Sequence, residues 1–327
     1  MTVSDLLAFD CAAETNRIAT ALREYLQKNR RRGLVIGLSG GIDSTVTAAL
    51  AVRALGPDRV FGLLMPERQS DDATLPLSRM VVEWLGVGSA LEEITGLLEA
   101  VDFSRRYTEA ARQAIPSFDH SWKSKVVIHA AGGSQSFSYF SLVGQAPDGR
   151  TETARLPLHA YLEIVAATNF KQRSRKMLEY YHADRLNYAV AGTPNRLEYD
   201  QGFFVKNGDG AADIKPIAHL YKTQVYRLAE YLEVPLAIRE RPPTTDTYSL
   251  PQGQDEFYFA LPYHQMDLCL FGKNNGLPPE VIAAAARLDR TTVEQVWADI
   301  DRKRSTTHYL HCKPALVADI PEISTLT

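Results

Sequence analysis

Apolar residues recur with alternating periods along the first ninety positions of the chain. Ile18, Leu22 and Leu26 lie four residues apart among charged neighbours, which is the spacing of an amphipathic helix. The short apolar runs that follow are typical of buried parallel strands. The predicted elements are a helix over 13–28, a strand over 34–38, a helix over 45–55, a strand over 60–65 and a helix over 77–85. This alternation predicts an α/β fold, a doubly wound parallel sheet with helices on both faces and a ligand site beyond the carboxyl ends of its strands.

The alternation is interrupted between residues 117 and 165, where the turn Pro147-Asp148-Gly149 and nearby apolar runs predict a group of strands. These strands are expected at 126–129, 137–143 and 151–156. The later elements are expected as helices over 169–181, 222–232, 279–287 and 291–304 and a small-residue strand at 188–192. We therefore interpret residues 1–327 as one domain with an inserted β-rich segment at about 117–165 and a helical C-terminal region at about 278–327.

The composition argues against several classes of function. Lys and Arg number 36 and Asp and Glu number 39, so a formal charge of -3 provides no net field to attract nucleic acid or acidic lipid. Residues 1–10 carry Asp5 and Asp10 where a secretory signal would carry basic residues, so no secretory signal is expected. The apolar runs are far shorter than the roughly 18 residues that span a bilayer. Cys11, Cys269 and Cys312 form no CxxC pair, which argues against disulfides and a thiolate zinc site. We expect a cytoplasmic protein without nucleic-acid or membrane partners.

The loop at residues 37–44, Gly-Leu-Ser-Gly-Gly-Ile-Asp-Ser, connects the first strand to its helix. Its glycines let backbone amides approach a ligand, its serines add hydroxyl donors, and the helix amino end adds partial positive charge. The loop lacks the spacing and the lysine of a Walker A motif and the spacing of a dinucleotide-binding motif. It is predicted to bind phosphates. The candidate residues are Gly37, Ser39, Gly40, Gly41, Asp43 and Ser44.

Two carboxylates at this edge of the sheet indicate a metal. A carboxylate among phosphate donors repels an anion unless a cation lies between them, so Asp43 points to Mg²⁺. Thr193 and Glu198 follow the small-residue strand, and Glu198 would supply a second carboxylate at the same edge. The alternative for either carboxylate is a role in capping a helix.

The sequence Ser-Gly-Gly-x-Asp-Ser at 39–44 resembles the signature of a known family, the N-type ATP pyrophosphatases, or PP-loop enzymes. Longer blocks are similar to successive blocks of the NAD synthetases in order, spacing and identity. These blocks are NFKQRSR at 169–175, GTPNRLE at 192–198, GFFVKNGDGAAD at 202–213 and PTTD at 243–246. The resemblance covers about residues 15–305. It implies ATP-dependent amidation of deamido-NAD to NAD with ammonia, through an acyl-adenylate and with release of AMP and pyrophosphate.

The resemblance also implies roles for individual positions. It makes Asp43 and Glu198 ligands of Mg²⁺. The implied ATP contacts beyond the loop are Thr193, Lys222 and Thr244. The implied contacts to deamido-NAD are Arg173, Lys206, Asp213, Arg302 and Lys303, with Arg302 standing where the family has histidine. The implied catalytic groups are Asp43, Lys222 and Asp209, the last as a base near the incoming ammonia. The family further implies a homodimer.

Several alternatives stay open at this point. The insertion is longer than in compact family members, so a PP-loop amide ligase that adenylates a different carboxylate is the nearest rival. Glutamine-dependent members carry a glutaminase domain that this chain is not expected to contain, so free ammonia or a separate ammonia-supplying protein is the expected nitrogen source. His308, His311 and Cys312 are interpreted as a surface tail in preference to a metal site.

Overall fold

The computed structural model describes residues 6–130, 138–242, 248–250, 253, 258–259 and 261–321. In chain order the first elements are α1 (Cys11–Lys28), β1 (Leu34–Gly37), α2 (Ile42–Leu55), β2 (Val60–Leu64), α3 (Thr74–Leu85), β3 (Gly88–Leu91), α4 (Thr95–Ala100) and α5 (Phe103–Arg112). Next come β4 (Lys123–Ala130), β5 (Ser138–Gln145), β6 (Thr151–Arg155), α6 (Leu158–Leu186), β7 (Ala189–Val190) and α7 (Arg196–Gln201). The last helices are α8 (Lys222–Tyr231), α9 (Leu236–Arg239), α10 (Tyr263–Asn274), α11 (Pro279–Ala286) and α12 (Arg290–His311).

The central sheet is parallel, with strand order β3-β2-β1-β7. Successive residues of β1 point to opposite faces, as the two-residue period of a strand requires. Leu34 and Ile36 pack into a core with α1, α2 and α8, whereas Val35 packs into a second core with α4 and α6. Both faces of β1 are therefore buried beneath helices, which explains its continuous apolar run. The predicted doubly wound α/β fold is confirmed.

A separate antiparallel sheet has the order β4-β5-β6. Trp122, Val126 and Leu142 lie on its inner face and pack with Ile164 of α6 in a third apolar core. Among the described residues, the three strands expected from sequence are confirmed, and residue 137, the expected start of the second strand, lies outside the described ranges. The domain division that we read from the sequence stays a prediction, but residues 158–165, which it assigned to the insertion, form the first two turns of α6.

The last helix is longer than the sequence predicts. It continues from Arg290 to His311, whereas the sequence pattern ended it at residue 304. His308 and His311 are exposed, as expected, but they lie in the last turn of this helix and not in an irregular tail. The extension is held by packing, because the His311 ring lies edge-on to both Tyr199 and Phe204 at 5.0 Å between centroids. Within the described ranges, no helix combines the length and apolar character that crossing a membrane would need.

Candidate active site at the carboxyl edge of the parallel sheet

The loop between β1 and α2 is shaped for an anion. Gly40 has a φ of +66°, and a Cβ there would lie 2.7 Å from the Leu77 Cβ. Both the backbone conformation and the lack of space therefore disfavour any residue other than glycine. Gly41 is the N-cap of α2, and because glycine has no side chain it accepts no hydrogen bond from the first amides of the helix. Those amides remain available for a ligand. The hydroxyl of Ser39 contacts that of Ser44 at 3.2 Å, which places two hydroxyl groups beside the amide cluster.

Asp43 is held in the first turn of α2 by two other elements. Its Oδ2 accepts from Lys222 Nζ at the start of α8, and its Oδ1 accepts from Asn195 Nδ2 at 3.2 Å. Asn195 is the N-cap of α7 and forms a capping box with Glu198, in which each side chain accepts from the other's backbone amide. The capping alternative for Glu198 is thus realised, although its side chain also lines the cavity beside Asp43.

Lys222 is charged at this position. Burial of its side chain disfavours the ammonium, but the neighbouring Asp43 and Glu198 outweigh burial and raise the Lys222 pKa above its usual value. The ammonium therefore persists across the physiological pH range. The edge of the sheet holds two carboxylates and one fixed cation, a set that suits an added divalent cation and a polyphosphate.

Asp267 of α10 positions Lys222, and no motif in the sequence indicates this role. Its Oδ1 accepts from the Lys222 amide at 3.2 Å and its Oδ2 from the Thr223 amide at 2.7 Å. These are the orphan amides at the start of α8, so Asp267 caps the helix from a distant part of the chain. Burial is the largest influence on this carboxyl and raises its pKa to about 6, from 3.8.

That raised pKa predicts a pH dependence of stability. The folded state holds the Asp267 proton more tightly than the unfolded state, so the stabilising contribution is full below pH 3.8 and is lost as the pH rises through about 6. As the pH rises, the free energy of unfolding of the wild type should fall by on the order of 2 kcal/mol more than that of Asp267→Asn, which has no carboxyl group at this position. Urea unfolding of both proteins from about pH 4 to pH 7 measures it. Parallel stability profiles for the two proteins would contradict the expectation.

One cavity of about 660 Å³ collects most of the residues selected from sequence. The predicted residues that line it are Ser39, Gly41, Asp43, Ser44, Arg173, Thr193, Glu198, Lys206, Asp209 and Lys222. The predicted residues that do not line it are Gly37, Gly40, Asp213, Arg302 and Lys303. Thr244 lies outside the described residues. The phosphate loop, the carboxylate pair and two of the five candidate substrate contacts therefore share one space.

The block at residues 202–213 forms one wall of this cavity. Arg173 Nε donates to the Lys206 carbonyl at 3.3 Å, which ties α6 to the block. Lys206 Nζ donates to the Tyr309 carbonyl at 2.7 Å, close to the carboxyl end of α12. Asp209 Oδ1 accepts from the Val205 amide at 2.7 Å, and burial raises the pKa of this carboxyl. The block is folded onto α6 and α12 by these contacts.

Other candidates occupy structural positions. Gly37 faces Glu179, whose Oε1 would lie 2.9 Å from an added Cβ. Asp213 Oδ2 accepts from the Val190 amide at 2.7 Å and so fixes the chain beside β7. Lys303 pairs with Asp299 at 2.7 Å, and Arg302 is exposed. The contacts of Gly37, Asp213 and Lys303 account for these three residues without a ligand.

The comparisons with known proteins agree with this site. The family model described as NAD synthase matches residues 14–118 and 150–309. The chain belongs to the NAD synthase family. The NH(3)-dependent NAD(+) synthetase of Rhizobium meliloti (strain 1021) is 57% identical over 320 residues, which are 98% of this chain and 96% of that protein. The protein of the same name from Mesorhizobium japonicum (strain LMG 29417 / CECT 9101 / MAFF 303099) is 56% identical over 318 residues, 97% of this chain and 100% of that protein.

A solved structure is also similar to this chain. The NMN synthetase from Francisella tularensis has a TM-score of 0.65 and is 25% identical, covering 96% of this chain and all of that one. The NAD synthase match leaves residues 119–149 unaccounted for, and these carry β4 and β5. The interior stretch that the family model does not match therefore carries two of the three strands of the antiparallel sheet beside the cavity.

Two charged groups in this NAD synthase site were missed from sequence. Arg241 donates to the Ser39 carbonyl at 3.3 Å and to Thr74 Oγ1 at 3.1 Å, beside the phosphate loop. Lys171 on α6 is buried against Glu67 at 2.6 Å, with side chains 3% and 4% exposed. Arg241 and Ser39 are 202 residues apart, so local sequence gave no indication that Arg241 lies beside the phosphate loop.

Proposed function

We propose that this chain catalyses the ATP-dependent amidation of deamido-NAD with ammonia, forming NAD, AMP and pyrophosphate through an acyl-adenylate. The observation that carries the proposal is the pairing of Lys222 and Asp43 over the amino end of α2, beside Glu198. Family membership and the 56–57% identity to proteins named NH(3)-dependent NAD(+) synthetases support it. Mass spectrometry of NAD and AMP after incubation with ATP, Mg²⁺, ammonium and deamido-NAD tests it.

ATP is the proposed co-substrate, with its phosphates at the loop. The residues proposed to contact it are Gly37, Ser39, Gly40, Gly41, Asp43, Ser44, Thr193, Lys222 and Thr244. The free amides at the start of α2 favour the phosphates through partial positive charge. Lys222, whose ammonium is stable at this position, offsets charge on the departing pyrophosphate.

Mg²⁺ is the proposed metal, held by Asp43 and Glu198. The donor set fits the ion, because Mg²⁺ prefers oxygen ligands and is commonly bound by one or two carboxylates together with substrate phosphates. When bound, it would supply neutralisation of phosphate charge as a Lewis acid. The two carboxylates of the site are oriented in advance, Asp43 by Asn195 and Lys222, and Glu198 by the capping box.

The acid substrate is proposed to extend from the loop toward the block at 202–213. Arg173 and Lys206 line that side of the cavity, and a guanidinium suits a pyrophosphate because its donors form a planar fork. We retain Asp213, Arg302 and Lys303 as substrate contacts on family resemblance alone. A carboxylate is a poor electrophile at neutral pH, so its adenylation by ATP makes attack by ammonia feasible. The protein contributes positioning and fixed charge to both steps.

Asp209 is proposed as the base that takes a proton from ammonium. Its pKa is raised by burial, which strengthens it as a base, and it lines the cavity. We expect Asp209→Asn to lower kcat/KM for ammonium by about a hundredfold at neutral pH. The loss should shrink as the pH is raised, because more free ammonia is then present. Initial rates across a pH series measure this, and an equal loss at every pH would assign Asp209 a structural role only.

A homodimer is the proposed assembly, with α6 at the interface. Leu158 and Leu162 are 71% and 55% exposed, and Met177 and Tyr181 are 56% and 59% exposed, each pair at a four-residue spacing. Sedimentation velocity tests this, with twice the 36.4 kDa chain mass expected.

Ammonia is proposed to arrive free or from a separate supplying protein. The free thiols of Cys11, Cys269 and Cys312 support a cytoplasmic location.

A second acid substrate is supported by one observation. The similarity to a solved structure named NMN synthetase makes the mononucleotide, deamido-NMN, the alternative acceptor for the same adenylation chemistry. Comparing kcat/KM for deamido-NAD and deamido-NMN decides between the two acids. A higher value for deamido-NMN would replace the proposed substrate and leave the ATP chemistry unchanged.

A further inference from the structure

A buried ion pair lies on the side of α6 that faces the parallel sheet. Lys176 Nζ donates to Glu179 Oε2 at 2.5 Å, and the two side chains are only 6% and 9% exposed. Glu179 lies against the end of β1, because its Oε1 would be 2.9 Å from a Cβ added to Gly37. The pair therefore lies beside the start of the phosphate loop, at the carboxyl edge of the sheet.

The same face of α6 supports the backbone next to Asp209. A Cβ added to Gly208 would lie 2.9 Å from the Gln172 Cβ, so this backbone rests directly on the helix. Lys176 and Glu179 follow Gln172 by four and seven residues, which is the spacing of one helix face. Gln172 and Asp209 both line the cavity. The buried pair therefore continues the helix face on which the Asp209 backbone rests.

Two buried carboxylates share the positive charge of Lys176. Burial raises the pKa of Glu179 and that of Asp209, and Lys176 opposes this rise at both groups. The charge of Asp209 also raises the Glu179 pKa, so the two carboxylates interact. Arg175 acts on Asp209 more weakly than Lys176 does, and burial lowers the pKa of Lys215, which interacts with both Asp209 and Lys176. Lys176 is therefore the cation with the largest effect on Asp209.

We propose that Lys176 is a positioning residue for the amidation, because its charge keeps Asp209 a carboxylate that can accept a proton from ammonium. This role rests on the proposed function, in which Asp209 is the base. The proton passes from the ammonium nitrogen to an Asp209 oxygen, which leaves ammonia to attack the acyl-adenylate. Glu179 limits the effect, because it competes for the charge of Lys176. Neither member of the pair lines the cavity, so both act on the reaction through Asp209.

The test is the pH dependence of kcat/KM for ammonium in Lys176→Met and Glu179→Gln, from about pH 5 to pH 8, because its acidic limb reports the pKa of the base. Lys176→Met leaves a buried carboxylate unpaired, which is destabilising. Glu179→Gln retains the shape of the side chain and an oxygen that can accept from Lys176, so it tests the proposal even if Lys176→Met fails to fold. Asp209→Asn is the control, because its profile should lack this limb. Thermal unfolding verifies the fold of each variant.

We expect the acidic limb to move in opposite directions in the two variants. Lys176→Met removes the cation, so the limb should move to higher pH by about one unit. Glu179→Gln removes the competing carboxylate, so the limb should move to lower pH. A purely structural role would lower kcat/KM by the same factor at every pH. Unmoved limbs in the folded variants, or limbs that move in the same direction, would overturn the proposal.

A second readout of the Asp209 charge does not depend on turnover. ¹³C NMR of protein labelled in its aspartate carboxyl groups follows the titration of Asp209, which is assigned by its loss in Asp209→Asn. This titration should move as the acidic limbs do in Lys176→Met and Glu179→Gln, and an unmoved titration would overturn the role of Lys176. A wild-type protein that forms no NAD would refute the proposed function, whereas the titration of Asp209 would still decide whether Lys176 sets its charge.

Discussion

Replacing Asp43 with asparagine is expected to lower kcat for NAD formation by two to three orders of magnitude, about 10²–10³. The amide retains the shape of the side chain and the oxygen that accepts from Asn195, but it removes one of the two carboxylates proposed to hold Mg²⁺. It also leaves the Lys222 ammonium without its nearest counter-charge. We expect the Mg²⁺ concentration for half-maximal rate to rise in the variant, and excess Mg²⁺ to recover part of the activity.

Initial rates over a Mg²⁺ series measure both effects in the same experiment. Asp58→Asn is the control, because Asp58 is an exposed aspartate before β2 and its substitution should leave the rate and the Mg²⁺ requirement unchanged. A wild-type rate and an unaltered Mg²⁺ requirement in Asp43→Asn would remove Asp43 from the metal site.

Replacing Lys222 with methionine is expected to lower kcat to a similar extent, by about 10²–10³, but with the opposite effect on Mg²⁺. Methionine fills the buried space without charge, so the ammonium that offsets the charge developing on pyrophosphate is lost. Asp43 and Glu198 then lose the fixed cation that interacts with both, and their combined negative charge should bind Mg²⁺ more tightly. Neither more ATP nor more Mg²⁺ should restore the rate.

The Lys222 prediction is checked by the same Mg²⁺ series and by urea unfolding. Lys123→Met is the control, because Lys123 is exposed on the antiparallel sheet. Since the Lys222 pKa is raised, the wild-type rate should also show no loss attributable to this group as the pH rises toward 9. A Lys222→Met enzyme that loses activity only through a higher KM for ATP would reduce Lys222 to a binding contact.

The sequence predicts the parallel sheet well because its strands follow simple apolar runs. Leu34–Gly37 and Val60–Leu64 are buried on both faces, so their composition alone indicates them. β3 (Gly88–Leu91) was missed because this edge strand is short, largely exposed and begins with glycine. The end of α12 was missed because its last turns are held by contacts of His311 with rings from distant segments. The spacing of apolar residues within the helix does not predict such contacts.

The site was predictable where a motif is continuous in sequence and unpredictable where it depends on tertiary contacts. Asp43 and its loop are recognisable in eight consecutive residues. Asp267 acts on Lys222 from 45 residues away, and Lys171 pairs with Glu67 across 104 residues. In each case a charged side chain is buried against a partner that is distant in sequence, so its burial cannot be predicted from the neighbouring residues.

The measurement that bears most directly on the chemistry is the fate of the ATP phosphates during turnover. We expect ³¹P NMR of a reaction containing ATP, Mg²⁺, ammonium and deamido-NAD to show pyrophosphate and AMP appearing in equal amounts, matched by NAD. All three should cease to form without deamido-NAD. Formation of ADP and orthophosphate would contradict cleavage at the α phosphate, and with it the assignment of the loop, Asp43 and Lys222.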